Sequence, residues 1–164
     1  MPRPMSPDRE REFSELHSFV DFYATNVKGI DPSSPIHPSN AGKEIVAKFG
    51  RSKALEGLRQ AVNDTLEELA DKPAEYIALL DAALNDANIR TSSELRRGYA
   101  SSYRRVVKRG SIRNETEYHM IHGVVVDLGN SASAEERESL QRMLETFESQ
   151  TPNPAFTRTP GGTA

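Results

Sequence analysis

Apolar residues in this chain recur at steps of three and four, in one segment after another, and the segments are separated by Pro, Gly and small polar residues. That spacing places side chains on one stripe of an α-helix. Residues 8–27 carry Phe13, Leu16, Val20, Tyr23 and Val27 on such a stripe, with Phe22 about 130° away, on a second packed face or open to a partner. Residues 54–69 carry the longest clean stripe, Leu55, Leu58, Val62, Leu66 and Leu69, and a further helix follows Pro73 with Ile77, Leu80 and Leu84 inward.

Local signals mark where these helices begin and end. Residues 40–49 read as a short helix with Ile45, Val46 and Phe49 inward, closed by Gly50. Residues 93–109 read as one helix from Ser93, with Leu95, Tyr99, Tyr103 and Val106 inward and Gly110 as its stop. Gly98 and Ser102 lie one turn apart on it and suit close packing of another helix. Asn114 with Glu117, and Ser133 with Glu136, resemble capping boxes opening two more helices. The first has Tyr118, Ile121, Val125 and Leu128 inward, and its β-branched run Val124 to Val126 reads equally as a short strand. The second has Leu140, Met143, Leu144 and Phe147 inward. Between the first two helices, Pro32, Pro35 and Pro38 share the period of a polyproline II turn, but the composition suits a rigid crossing with Ile36 tucked inward.

About six to seven helices with short connections and no alternating strands predict an all-α single-domain fold, a helical bundle or orthogonal array. The expected organisation is a flexible N-terminus over 1–7, a helical domain over 8–148 and a disordered tail over 149–164. No repeat of fixed period stands out, which argues against a solenoid. Ile, Val, Leu and Phe number 34 among 164 residues, just above the one-fifth below which chains tend to stay disordered, so the core is modest. No apolar run approaches the length of a membrane span, and 1–11 is Pro-rich and charged without the apolar stretch of a secretory signal. Absence of Cys excludes disulfides and thiolate metal sites. A cytoplasmic location without membrane contact is the expectation.

The formal charge of -3 conceals a strong asymmetry. Residues 93–113 hold Arg96, Arg97, Arg104, Arg105, Lys108, Arg109 and Arg113 against Glu94 alone, a net +6, while the acidic 54–86 segment just before it carries -6. The basic residues centre opposite the apolar stripe, so the tyrosines belong to the core rather than to a base-stacking platform. Six arginines to one lysine suit a defined anionic surface, because a guanidinium donates two parallel hydrogen bonds to phosphate or carboxylate. A solvated face, a nucleic-acid surface and a contact for an acidic protein all fit this composition. A helix-turn-helix reading is disfavoured, since Glu115 and Glu117 open the second helix of the pair and would face phosphate repulsion.

No catalytic constellation stands out. The glycines are scattered and form no phosphate loop or dinucleotide fingerprint, and there is no nucleophile elbow. Glu115, His119 and His122 share one helical face at a spacing permissive for a metal, but they lack the further ligands of recognised motifs, so no metal and no cofactor is expected. The reading is therefore a non-enzymatic binding or regulatory protein. It presents Arg97, Arg104, Arg105, Lys108, Arg109 and Arg113 to an anionic macromolecule, nucleic acid ahead of an acidic protein. The alternative is a protein-interaction module, such as an adaptor, an inhibitor or an immunity-type protein, using the acidic 54–86 surface with Glu67 and Glu68, or Phe22. A sequence pI of about 5.8 favours the alternative, because dedicated nucleic-acid domains are commonly basic overall.

Overall fold

A computed structural model describes residues 3–126 and 132–150, and among these it is all-helical, with eight α-helices and no strand. Helix α1, Pro7–Phe22, opens on Ser6, whose hydroxyl accepts the Arg9 N–H, and its first turn carries Asp8 and Glu10, the charge that a helix N-terminus favours. It runs on into a π-helical turn, Tyr23–Val27, that keeps Tyr23 and Ala24 buried. Helix α2, Pro38–Phe49, and helix α3, Arg51–Leu69, meet at Gly50, whose φ of 86° lies in the left-handed region open to glycine. Helix α4 is Ala74–Asp86, helix α5 Ser92–Tyr99, helix α6 Ser101–Arg109, helix α7 Glu115–Val126 and helix α8 Ala134–Gln150.

Helix α3 is the spine: α1 and α2 pack on it on one side and α5 on another, α5 in turn meets α4, α6 and α7, and α7 carries α8. The core contains the predicted stripes almost intact. Leu16, Leu55, Val62, Leu66, Leu69, Leu84, Leu95, Ile121, Leu140 and Leu144 are all fully buried. Val124 to Val126 continue α7, because the helix has already been started by Asn114 and its apolar side is packed. Leu128 and the tail from 151 lie outside the described residues, while Ser149 and Gln150, expected in that tail, still belong to α8.

Three expectations change. Helix α2 buries no residue: Phe49 is 67% exposed and Ile45 37%, and Ile36, expected inward, is 74% exposed. Helix α2 packs chiefly on α3 and α1, and no other helix makes more than marginal contact with its remaining surface. The single helix expected over 93–109 is two, because Ala100 adopts an extended ψ of 114° and is buried at the break. Helix α3 supports the new start, with Asn63 Oδ1 accepting the Ser101 N–H at 3.0 Å and Glu67 Oε1 accepting the Ser102 N–H at 3.1 Å. This break accounts for the helix count exceeding the expected six to seven. Gly98 has nothing within 4 Å of the position of a Cβ, so close helix packing is not its role.

A candidate anion-binding face on helix α6

The break at Ala100 sorts the basic residues by environment. Arg96 lies on α5 and is 1% exposed, with Nη1 donating to the Met120 carbonyl at 3.4 Å and Nε and Nη2 without a protein acceptor. Burial pushes its pKa down, and the charges of Asp81 and Glu67 act in the opposite direction. Arg96 therefore contributes nothing to the exposed basic face. Its neighbours at i−4 and i+4, Ser92 and Ala100, are small and buried, which is the sequence signal that its side chain turns inward.

Two further arginines are tied to carboxylates of the fold. Arg97 forms a two-point contact with Glu136 of α8, Nε to Oε1 at 3.0 Å and Nη2 to Oε2 at 2.5 Å, and the Tyr103 hydroxyl donates to the same carboxylate at 3.2 Å. The Arg97 hydrogen bond is the main reason that the Glu136 carboxyl is held below its ordinary pKa. Arg109 pairs with Glu117 and also donates from Nε to the Ser111 carbonyl at 3.1 Å. Glu117 accepts the Arg113 N–H as well, at 2.7 Å, so it staples the α6–α7 turn instead of reaching back to Asn114 as a capping box would. The other half of that motif is present, Asn114 Oδ1 accepting the Glu117 N–H at 2.9 Å.

Arg104, Arg105, Lys108 and Arg113 remain. All four are exposed, and no carboxylate lies within ion-pair distance of their side chains among the described residues. Arg104, Arg105 and Lys108 occupy i, i+1 and i+4 of α6, opposite the buried Tyr103 and Val106, and Arg113 stands in the turn beyond. At its α5 end the face opens onto a polar cleft of about 780 Å³ that Arg104 lines together with Arg59, Arg90, Asn63 and Gly98. Within it, Arg59 holds Glu12 at two points, 2.8 Å each, which lowers the Glu12 pKa. Tyr99 donates to the same carboxylate at 2.8 Å, and its pKa is pushed up to about 12, first by burial and then by that bond.

On the acidic 54–86 segment, Glu56, Asp64, Glu68, Asp71, Glu75 and Asp86 stay exposed, and the residues singled out for the alternative surface each also have a contact within the fold. Phe22 is half-buried and packs against the core, Glu67 caps α6, and Glu68 accepts from the Tyr23 hydroxyl at 3.4 Å and pairs with Lys28 at 3.3 Å. Glu115 and His119 lie 3.3 Å apart, while the His122 ring stacks on Tyr118 with centroids 5.9 Å apart. Among the described residues no group of three or more His, Asp and Glu is arranged to hold a metal ion, and no helix is long and apolar enough to cross a membrane. Comparison with protein-family models, with curated proteins and with solved structures gives no match.

Proposed function

We propose that this protein binds an anionic macromolecule through the exposed face of α6, and that the anion is the phosphate backbone of a nucleic acid. The observation that carries this reading is the contrast within one basic segment: Arg97 and Arg109 are neutralised by Glu136 and Glu117, whereas Arg104, Arg105, Lys108 and Arg113 project to solvent with no carboxylate beside them among the described residues. Forks of guanidinium donors at fixed helical spacing suit successive phosphate oxygens. The buried tyrosine of α6 offers no stacking platform, so contact to the backbone, rather than to bases, is the expected mode. The net charge of -3 limits binding to this local patch.

Anisotropy of labelled duplex DNA and single-stranded RNA, titrated at low and at physiological salt, tests the reading. If each of the four cations neutralises one phosphate, affinity for duplex DNA falls roughly a hundredfold between about 50 and about 200 mM salt. The Arg104→Glu, Lys108→Glu double variant should lose binding to any nucleotide sequence. Equal binding by wild type and variant, or no binding at low salt, rejects the face as a nucleic-acid site.

A further inference from the structure

We propose that the groove between α1, α2 and α3 is a docking site for a short amphipathic helix of another protein, one with acidic residues flanking its apolar stripe. The groove encloses about 730 Å³. Its floor is Phe13, His17 and Val20 of α1 and Ala54, Leu58 and Ala61 of α3, and its wall is α2.

Three observations select this occupant. First, α2 presents an apolar stripe left uncovered among the described residues: Ile45 lines the groove, and Phe49, one turn further on the same face, is 67% exposed. Ile36 stands 74% exposed at the Pro38 end. An acyl chain confined to the groove would leave these lips in water, whereas a helix lying along it covers them. Second, the dimensions suit a helix. Residues 54–61 of α3 span about 10 Å, two helical turns, which is the reach of anchors at i, i+4 and i+7. Ala54, Gly57 and Ala61 leave room for those anchors, and nothing lies within 4 Å of a Cβ placed on Gly57. Third, the charged side chains that line the groove are Lys43 and Arg51, with His17 beside them, and among the described residues no carboxylate lines it. Arg51 is already held by Glu10, at 2.6 Å from Nη2 to Oε2, and stacks over the Phe13 ring, so Lys43 supplies the unpaired positive charge. A partner with Asp or Glu beside its apolar stripe is complementary to this rim, and a basic helix is not.

The test uses a display library of short helical peptides with Leu, Ile, Phe or Met at i, i+4 and i+7 and Asp or Glu at the flanks, selected on the full chain. Selected peptides are then measured by anisotropy. Gly57→Leu fills the groove from a position with open space and better helix propensity, so the variant should keep its melting temperature and lose at least tenfold in peptide affinity. Lys43→Glu should also weaken binding, and Leu79→Ser, which removes an equally exposed apolar residue on α4, should not. Peptides that bind wild type and Gly57→Leu alike, a library without binders, or equal affinity for Lys-flanked versions overturns the proposal. So does sedimentation showing a dimer abolished by Gly57→Leu, which would make a second copy the occupant, or displacement of the peptides by decanoate at lower concentration than by a competing peptide.

Discussion

Arg97 of α5 and Glu136 of α8 meet side by side through two hydrogen bonds, and Tyr103 of α6 closes on the same carboxylate, so one acid ties three helices together. The pair also removes a cation from the face that the rest of the segment presents.

This geometry fixes a pH dependence. Because the folded carboxyl of Glu136 is held below its ordinary value of 4.5 by Arg97, the unfolded chain takes up the proton first as pH falls. The stabilisation is therefore complete above the ordinary value and is lost as pH drops through the lower, folded one. Glu12, held by Arg59, acts in the same direction and window. Urea denaturation at pH 7 and at successive steps below pH 5 should show stability falling, and Glu136→Gln should flatten that slope while costing about 1 kcal/mol at neutral pH. An unchanged slope in Glu136→Gln would show that the pair contributes nothing.

Arg104, Arg105 and Lys108 should behave in the opposite way. Exposed side chains without partners contribute little to stability, so the triple alanine variant should unfold within about 0.5 kcal/mol of wild type and still lose nucleic-acid binding. Arg97→Ala or Arg109→Ala should lower the melting temperature with a smaller effect on the salt dependence of binding. A triple variant that melts far earlier than wild type would place these residues in the structural framework, not on a free surface.

The helices themselves were legible because each long apolar stripe has a single way to be buried: Leu55, Val62, Leu66 and Leu69 stand at helical spacing and all reach the core. Ser133 and Asn114 were legible as caps for a local reason, since an N-terminal donor two or three residues on is within reach of a short side chain. What could not be read depends on distant neighbours. The same pattern that buries α3 leaves Ile45 and Phe49 of α2 outside, because burial needs a second element to cover the stripe. The interruption at Ala100 has no proline to announce it, the nearby Gly98 stays within α5, and the break relies on Asn63 and Glu67 some 35 to 38 residues earlier. Counting charge along 93–113 likewise gave Arg96 the same weight as Arg104, although one is buried and the other is exposed.

Those two caps are themselves testable. Asn63→Ala and Glu67→Ala each remove the acceptor for an N–H in the first turn of α6, and each should cost about 1 kcal/mol. Glu67→Lys should cost more, since it replaces the acceptor by a cation near the buried Arg96. Wild-type stability in Asn63→Ala and Glu67→Ala would mean that packing at Ala100 alone sets the break.

Arg96 gives the sharpest test of how the centre of the fold is held. The guanidinium has lost its water, yet Nε and Nη2 find no protein acceptor, and the nearest compensation is the charge of Asp81 and Glu67. Asp81 is held independently, accepting from the Ser92 N–H at 2.7 Å, the Ser92 hydroxyl at 2.5 Å and the Ser93 hydroxyl at 2.6 Å. Removing the cation therefore leaves Asp81 with its hydrogen-bond donors. Arg96→Met retains most of the side-chain volume and removes the unsatisfied donors while leaving Asp81 its three donors, so it should be clearly more stable than Arg96→Ala and close to wild type. Arg96→Ala leaves a cavity and should cost about 2 kcal/mol or more. Asp81→Ala should cost a similar amount, because the buried Ser92 N–H loses its acceptor. Urea denaturation of the three variants decides between two arrangements. A stable methionine variant makes Arg96 a packing residue that the core tolerates; a methionine variant as unstable as the alanine one makes its charge necessary to Asp81 and Glu67.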